Sequence, residues 1–271
     1  MKQRIITGSI LAAALCVILL LRNYLLVPAM AAASVLCCIE LLNAFGAKGI
    51  RPVRWLCIGY AALVPLCASL VDPAHLLIYE VLLLFAVLLA HLFRREPNLP
   101  ETAAALCASA YAAVPLSLMT TFLCVQPSLR GALLIACAFL FAYFGDMAAY
   151  FTGVFFGRHK MVPRLSPKKT WEGAAGGLLG SVVVGLLLFA FEQLAGIGRT
   201  NLPLWGYLLL GLFCGVAEQA GDLTASLIKR FCGIKDYGNL FPGHGGMMDR
   251  MDSVLFTTVV IYGYCLLAEL L

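Results

Sequence analysis

Residues 131–156 read GALLIACAFLFAYFGDMAAYFTGVFF, in which Asp146 is the only charged side chain. A bilayer core about 30 Å thick is crossed by roughly 20 apolar residues in a helix, so this run predicts a transmembrane helix. The other apolar runs of the chain also lack the alternation of polar and apolar positions that marks membrane β-strands. We therefore predict an all-α, polytopic membrane helical bundle. About nine spans are predicted, at residues 5–21, 24–44, 55–71, 76–93, 103–125, 131–156, 174–195, 204–221 and 254–271.

The overall composition agrees with this interpretation. Hydrophobic residues make up 62% of the 271 residues, charged residues make up 12%, and the mean hydropathy is +0.94. These values lie far from those of soluble domains, so a soluble globular protein is excluded. The 11 cysteines lie mostly inside apolar runs and form no CxxC pair. Neither a disulfide framework nor a zinc site is therefore predicted.

The first apolar run follows Lys2 and Arg4, as the apolar part of a signal peptide would. The run is long for that role, Arg22 follows it, and the next apolar run begins without a clear cleavage site. We therefore predict that the first run is a transmembrane span.

The distribution of cationic residues predicts the orientation of the spans. With nine spans and a cytoplasmic N-terminus, only Arg22, Arg130 and Arg199 of the 19 lysines and arginines fall on the outer side. Lysine and arginine are enriched in cytoplasmic loops, so we predict that the N-terminus is cytoplasmic. The two longest polar stretches, residues 157–173 and 222–253, then both face the cytoplasm.

Acidic residues within apolar runs are the first candidates for function. Asp146 lies about ten residues, or ~15 Å at helical rise, from the cytoplasmic end of its run. An unpaired carboxylate at that depth is costly, so Asp146 is expected either at a functional cavity or in a structural hydrogen bond between helices. Glu80 and Glu269 are expected to be hydrated near helix ends, and the role of Glu40 stays open.

The second polar stretch alternates acidic and basic residues, and residues 235–253 read KDYGNLFPGHGGMMDRMDS. Basic side chains suit anionic oxygens, and spaced aspartates suit a hard divalent cation such as Mg²⁺ that binds the same oxygens. Glu218, Asp222 and Ser226 share one helix face if the preceding helix continues, although a hydrated helix end would show the same spacing. The stretch predicts a phosphate and magnesium site.

Two further features of the polar stretches fit phosphate binding. The glycines of residues 242–246, PGHGG, allow backbone N–H groups to approach an anion, although such sequences often only form turns. Residues 156–173, FGRHKMVPRLSPKKTWEG, add cations that bind substrate or merely set topology and bind anionic lipid headgroups. The sequence contains neither a Walker A motif nor a GxSxG motif.

Two segments together resemble a known family. Residues 226–253, SLIKRFCGIKDYGNLFPGHGGMMDRMDS, closely resemble the signature of the phosphatidate cytidylyltransferases, also called CDP-diacylglycerol synthases. Residues 166–173, SPKKTWEG, resemble a second stretch of that family. The chain departs from the family pattern at four positions, which bear on details of the nucleotide pocket: Met147, Ala148, Glu218 and Ala225.

The resemblance implies that CMP is transferred from CTP to phosphatidic acid, with Mg²⁺ as cofactor, giving CDP-diacylglycerol and pyrophosphate. The implied catalytic residues are Asp222, Asp249, Lys229 and Asp252. The implied metal ligands are Asp222 and Asp249, with Asp146 as a weaker candidate. The implied substrate-binding residues are Ser166, Lys168, Lys169, Ser226, Arg230, Lys235, His244 and Arg250. His244 either contacts the nucleotide or only shapes its loop.

The resemblance also suggests how the chain is organised. Residues 1–130 are predicted to form about five N-terminal transmembrane helices, and residues 131–271 to form the catalytic transmembrane region with cytoplasmic loops 157–173 and 222–253. A bacterial cytoplasmic (inner) membrane is expected, with the active site on the cytoplasmic side. The resemblance allows a homodimer, and no nucleic-acid partner is expected.

Two other functions stay open at this point. A CTP-dependent polyprenol or phytol kinase has a similar membrane architecture but transfers the γ-phosphoryl group, so it releases CDP rather than pyrophosphate. A transporter would also contain many spans and an intramembrane acid such as Asp146. A transporter is expected to concentrate polar groups at the midplane and to contain an internal repeat, whereas here the polar groups concentrate in loops and no repeat is seen.

Overall fold

The computed structural model describes residues 2–71, 73–125, 128–196 and 203–268. Within these ranges the protein contains nine α-helices, one in each predicted apolar run, and the all-α polytopic prediction is confirmed. The helices are α1 (Lys2–Leu20), α2 (Arg22–Ala47), α3 (Arg54–Ala68), α4 (Pro73–Leu92), α5 (Leu99–Thr121), α6 (Ser128–Phe156), α7 (Trp171–Ala195), α8 (Leu204–Cys232) and α9 (Met248–Leu267). A short 3₁₀ helix, Phe122–Cys124, follows α5.

Six of the helices are long and apolar enough to cross a bilayer: α2, α4, α5, α6, α7 and α9. The apolar helices Thr7–Leu20 and Arg54–Ala68 are shorter. Helix α8 is long, but Glu218 and Gln219 interrupt its apolar half. The six long helices are consistent with a polytopic membrane protein, and the cytoplasmic position of the N-terminus stays a prediction.

A β-hairpin lies in the first polar stretch, which sequence analysis treated as a loop. Strands β1 (Lys160–Val162) and β2 (Ser166–Thr170) pair antiparallel, with Lys160 opposite Thr170. The Leu165 N–H donates to the Val162 carbonyl at 3.1 Å, which closes a four-residue turn with Pro163 at its second position. Proline is favoured there because its fixed φ suits the turn.

The described chain divides into two compact units. The first comprises Met1–Thr121 and Ile228–Met251, and the second comprises Phe122–Leu227 and Asp252–Leu271. In the first unit α2, α3 and α5 pack against one another, with α4 on α3 and α5 and α1 on α2. The division predicted from the sequence, with N-terminal helices in residues 1–130 and the catalytic region in residues 131–271, stays a prediction.

Close packing of α6 on α7 organises the second unit. A Cβ atom on Gly176 would lie 2.0 Å from the Thr152 hydroxyl oxygen, and one on Gly180 would lie 2.6 Å from the Ala148 Cβ. Glycine at these positions lets the helix backbones approach, as small residues commonly do between membrane helices. This contact fixes the helix that carries Asp146 next to the helix that follows the hairpin.

The expectation for Glu80 was wrong. Glu80 lies in the middle of α4 and is buried, rather than hydrated at a helix end. Its carboxylate accepts a hydrogen bond from the Ser117 hydroxyl of α5. An intramembrane acid requires such a partner, and the apolar pattern of α4 alone could not show that α5 supplies it. Glu269 lies outside the described residues.

Thr170 joins the hairpin to α7, and we predict a measurable contribution to stability. Its backbone is extended, and its hydroxyl accepts a hydrogen bond from the Gly173 N–H at 3.1 Å, so it is the N-cap of α7. Thr170→Ala is expected to lower the free energy of unfolding by about 1 kcal/mol. Thermal unfolding in detergent measures this loss, and Thr170→Ser, which keeps the acceptor, should recover most of it. Equal losses in the two variants would contradict the capping role.

Candidate functional site

A cavity of about 650 Å³ in the second unit collects several of the predicted site residues. Helix α6 contributes Asp146, the hairpin contributes Lys160, Lys168 and Lys169, and α8 contributes Gln219. The Gln219 side chain donates to the Ala174 carbonyl at 2.9 Å, which ties α8 to the first turn of α7. The cavity therefore combines three cations with one intramembrane carboxylate.

The hairpin that supplies the three lysines is anchored to α7 by Glu172. The carboxylate of Glu172 accepts hydrogen bonds from the backbone N–H groups of Arg158 and His159 and contacts the His159 ring nitrogen Nδ1 at 2.6 Å. Acceptors at the first turn of α7 thus hold the residues that precede β1. The lysines are presented from a fixed strand pair rather than from an open loop.

Lys169 is paired, whereas Lys160 and Lys168 are available to a ligand. The Lys169 Nζ lies 2.5 Å from an Asp222 carboxylate oxygen, and both side chains are partly exposed. Within the described part of the chain, no carboxylate forms an ion pair with Lys160 or Lys168, and both are exposed. Two free ammonium groups at a cavity are suited to a phosphate with two negative charges.

The lining of this cavity also includes apolar side chains. Tyr150 and Val154 of α6 and Met161 of β1 contribute to its lining, and Tyr150 and Val154 are well exposed. Apolar side chains exposed on a membrane helix are compatible with hydrocarbon. A lining that combines cations with apolar side chains suits an amphipathic molecule with an anionic head.

Asp146 does not lie alone in its helix. The Glu218 side chain of α8 is fully buried, and its carboxyl group lies against that of Asp146. A Cβ on Gly145 would lie 2.5 Å from a Glu218 oxygen, so glycine is needed for this approach. The structure thus brings the predicted Asp146 together with Glu218, which sequence analysis had placed on a helix face with Asp222 and had noted as a departure from the family pattern.

In the first unit Asp249 is the centre of a second cluster. One carboxylate oxygen lies 2.8 Å from the Lys229 Nζ, and the other accepts hydrogen bonds from the N–H groups of Tyr237 and Gly246 at 2.9 and 3.0 Å. Lys229 also lies over the Tyr237 ring, 5.4 Å from its centroid. Asp249 therefore organises the polar loop as well as carrying charge.

The glycines of this loop are required by close packing. A Cβ on Gly246 would lie 2.4 Å from both carboxylate oxygens of Glu40, and one on Gly238 would lie 2.7 Å from one of them. Gly245 has a φ of +84°, and a Cβ there would lie 2.7 Å from Asp249. This packing accounts for the glycines independently of any ligand, whereas the predicted anion nest stays a prediction.

A polar cavity of about 580 Å³ lies in the same loop. Lys235, His244 and Arg250 line it, as a phosphate site would require. The loop is closed by hydrogen bonds from Phe241 N–H to the Gly245 carbonyl and from His244 N–H to the Phe241 carbonyl. His244 thus belongs to a tight turn, and its contact with nucleotide stays a prediction.

Several predicted residues lie away from these cavities. Ser166 begins β2 and is half-buried, and Ser226 is buried in α8. Asp252 is buried in α9 and accepts a hydrogen bond from the Ser253 N–H. Arg230 is exposed and donates to the Ile234 carbonyl. Their roles in catalysis and binding stay predictions.

The carboxylates fit a magnesium ion only if substrate oxygens complete its coordination. Among the residues that the structure describes, no group of three or more His, Cys, Asp or Glu side chains could hold a metal. Asp222 uses one oxygen for Lys169, and no hydrogen bond to its other oxygen is found within the described ranges. Magnesium usually takes only one or two protein carboxylates beside water and substrate phosphates. The aspartate carboxylates present are compatible with binding of Mg²⁺ by one or two carboxylates, water and substrate phosphates.

Sequence reasoning missed Lys160, Gln219 and the contacts of Glu40. Lys160 was counted among the cytoplasmic cations but not named as a site residue, because the short strands of its hairpin give little periodic signal. The only indication of a role for Glu40 in the sequence was an acidic residue near the end of an apolar run. Its partners lie more than two hundred residues further along the chain, so no local pattern could have identified them.

These features define a polytopic helical membrane protein in which each of two units carries a lysine–aspartate pair. The chain belongs to the Cytidylyltransferase family, whose model matches residues 2–268.

Three similar proteins carry the same name. A phosphatidate cytidylyltransferase of Haemophilus influenzae is 37% identical over 135 residues, which are 50% of this chain and 46% of the relative. The corresponding protein of Mycobacterium bovis is 40% identical over 128 residues, which are 47% of this chain and 40% of the relative. The phosphatidate cytidylyltransferase of Brucella suis is 42% identical over 126 residues, which are 46% of this chain and 44% of the relative. The chain thus matches less than half the length of each of these relatives.

Proposed function

We propose that this protein transfers CMP from CTP to phosphatidic acid, releasing CDP-diacylglycerol and pyrophosphate. The observation that carries the proposal is the second-unit cavity, in which exposed Lys160 and Lys168 lie near the apolar side chains Tyr150 and Val154. The family assignment and the names of the relatives support it. A lipid phosphate with attached hydrocarbon is the substrate type that such a cavity would accept.

The reaction is a single displacement at the α-phosphorus of CTP. An oxygen of the lipid phosphate forms the new bond to that phosphorus, and the bond from the phosphorus to the bridging oxygen of the β-phosphate breaks. Pyrophosphate leaves with the electron pair of the broken bond. A phosphomonoester with a second pKa near about 6 is mostly dianionic at neutral pH, so no dedicated base is required. The protein then contributes positioning and charge neutralisation.

Each cluster has a separate task in this proposal. Lys160 and Lys168 hold the lipid phosphate, and Lys169, oriented by Asp222, neutralises further anionic charge. Lys235, His244 and Arg250 of the first-unit loop bind phosphate oxygens of CTP, and Lys229 keeps Asp249 in place. Ser166 and Ser226 would add neutral hydrogen bonds, Arg230 a further cation, and Asp252 a further carboxylate.

Asp222 and Asp249 are the proposed ligands of Mg²⁺, with Asp146 as a weaker candidate. Bound there together with substrate phosphates, the ion would supply positive charge that offsets the triphosphate. The cytoplasmic membrane location of the site and a homodimer are expectations that accompany the proposal. The membrane location is supported by the charge distribution and the bacterial relatives, and the homodimer is an expectation from the family resemblance alone.

Labelled CTP tests the proposed reaction against the kinase alternative. The purified protein in phosphatidate-containing liposomes is supplied with CTP labelled at either the α- or the γ-phosphorus. We expect the α-label in the lipid product and the γ-label in pyrophosphate. Transfer of the γ-label to a polyprenol or other lipid alcohol, with release of CDP, would assign the kinase reaction instead. Absence of any lipid labelling with uptake of a solute would favour a transporter.

The lysines of the cavity give a further prediction. The double variant Lys160→Gln and Lys168→Gln is expected to raise the KM for phosphatidate about tenfold, because two charge-assisted hydrogen bonds to the lipid phosphate are lost. Steady-state kinetics in mixed micelles measure this change. Arg164→Gln is the matched control, because Arg164 is an exposed cation in the turn of the same hairpin and does not line the cavity. An unchanged KM in the double variant would remove both lysines from the lipid site.

A further inference from the structure

Glu40 of α2 contacts the end of the polar loop and the first residue of α9. Its side chain is 8% exposed, and its two oxygens accept hydrogen bonds from the N–H groups of Met247 at 2.9 Å and Met248 at 2.8 Å. Met248 is the first residue of α9. The first N–H groups of a helix have no acceptor within the helix. Glu40 therefore caps α9 from a helix that is distant in sequence.

Glycine at position 246 makes this cap possible. A Cβ on Gly246 would lie 2.4 Å from each oxygen of Glu40, and the nearest atoms to it all belong to that carboxylate. The φ of Gly246 lies outside the left-handed region, so the backbone itself would accept another residue. The closest steric conflict of a side chain at 246 is thus with Glu40.

The same short segment is held from two sides. The Gly246 N–H donates to Asp249, and the N–H groups of Met247 and Met248 donate to Glu40. Asp249 also accepts from the Tyr237 N–H, so the loop between residues 237 and 248 is fixed at both ends by carboxylates. Loss of either carboxylate would free the segment that carries His244.

We propose that Glu40 is a positioning residue for cytidylyl transfer, which fixes residues 237–248 and thereby the orientation of Asp249. The effect of Glu40 on the reaction rate rests on the proposed function, whereas its effect on residues 237–248 does not. A carboxylate is the side chain that offers two acceptor oxygens and no donor. It also places negative charge at the positive end of α9, where charge is favourable. Glutamine offers one acceptor and a donor that would face an N–H group.

Glu40→Gln is the first test, with Glu80→Gln as its control. Both substitutions remove the charge of a buried glutamate in the first unit, but Glu80 bonds to Ser117 rather than to the loop. We expect Glu40→Gln to lower kcat/KM for CTP about tenfold, with an increase in KM, and to accelerate hydrogen exchange at residues 246–248 about tenfold. Glu80→Gln should change neither quantity. A purely structural loss would reduce the active fraction without raising KM.

A double-mutant cycle with Gly246→Ala is the second test, and it remains informative if Glu40→Gln folds poorly. Gly246→Ala alone should lower kcat/KM about tenfold, because the new methyl group displaces the Glu40 carboxylate. In the Glu40→Ala background the same methyl group has room, so the double variant should be no worse than Glu40→Ala. Additive losses would overturn the assigned contact.

The outcomes separate this inference from the proposed function. An active wild-type enzyme with unchanged kinetics and exchange in Glu40→Gln overturns the positioning role and leaves cytidylyl transfer in place. If the wild-type protein produces no CDP-diacylglycerol, the proposed function is overturned, and with it the role of Glu40 in cytidylyl transfer. Faster exchange confined to residues 246–248, together with a higher KM and a non-additive cycle, supports both.

Discussion

Asp249→Asn is expected to lower kcat by about a thousandfold, because a charged group central to a preorganised polar site is lost. Asn offers one acceptor oxygen and an NH₂ group, whereas Asp249 accepts from Lys229, Tyr237 N–H and Gly246 N–H. The amide must therefore turn its donor toward either the ammonium or the backbone. Lys229 would be left largely buried without its counter-ion, which is costly.

The measurement is steady-state CDP-diacylglycerol formation at increasing Mg²⁺ concentration. If Asp249 also holds the metal, the residual activity of Asp249→Asn will require more Mg²⁺ than the wild type. Glu96→Gln, which removes an exposed carboxylate of the same unit, serves as control and should behave like the wild type. A folded Asp249→Asn variant with near-normal turnover would remove Asp249 from the site.

Asp222→Asn is expected to have a comparable effect, again about a thousandfold in kcat, and its partner Lys169 allows a sharper test. The two side chains form an ion pair at 2.5 Å. The exchanged pair Asp222→Lys with Lys169→Asp keeps both charges, so an ion pair that is only structural would be restored. We expect the exchanged enzyme to insert and to unfold near the wild-type temperature, yet to remain inactive.

The reason is that a carboxylate moved from α8 to β2 could no longer serve the metal in the same place. Activity and thermal unfolding are measured on the same detergent preparation, so misfolding and loss of chemistry are separated. Recovery of more than about a tenth of wild-type activity in the exchanged enzyme would show that only the ion pair matters. Asp222 would then cease to be a candidate metal ligand.

Sequence reasoning was most successful where structure depends on local hydropathy. A run such as residues 131–156 must form a helix in a membrane, because its backbone groups have no water to bond, and each of the nine runs is helical in the described chain. The hairpin was missed, since three- and five-residue strands in a stretch rich in Lys and Pro give little periodic signal.

Predictions failed or stayed open where a residue depends on a distant partner. Glu80 was expected to be hydrated near a helix end, but it is buried and accepts a hydrogen bond from the Ser117 hydroxyl of another helix. Glu40 could not be interpreted without Met247 and Met248. The glycines of the loop suggested room for a ligand, and Gly246 is in fact required by the Glu40 carboxylate. These are tertiary contacts between residues that are distant in the sequence, so the spacing of residues along the chain does not predict them.

Charge reasoning lay between these extremes. Grouping Lys168, Lys169 and Asp222 as site residues was useful, because the structure joins Lys169 to Asp222 and places both lysines at one cavity. It could not show that Lys160 also belongs there, since a hairpin brings that residue to the same cavity. The assignment of a metal to Asp222 and Asp249 stays a prediction.

Pyrophosphate release from the purified protein in liposomes is the most direct test of cytidylyl transfer to phosphatidate. We predict one pyrophosphate released for each CDP-diacylglycerol formed, with no release when either phosphatidate or Mg²⁺ is omitted. Release of CDP in place of pyrophosphate, or pyrophosphate formation that does not depend on phosphatidate, would contradict the proposed function.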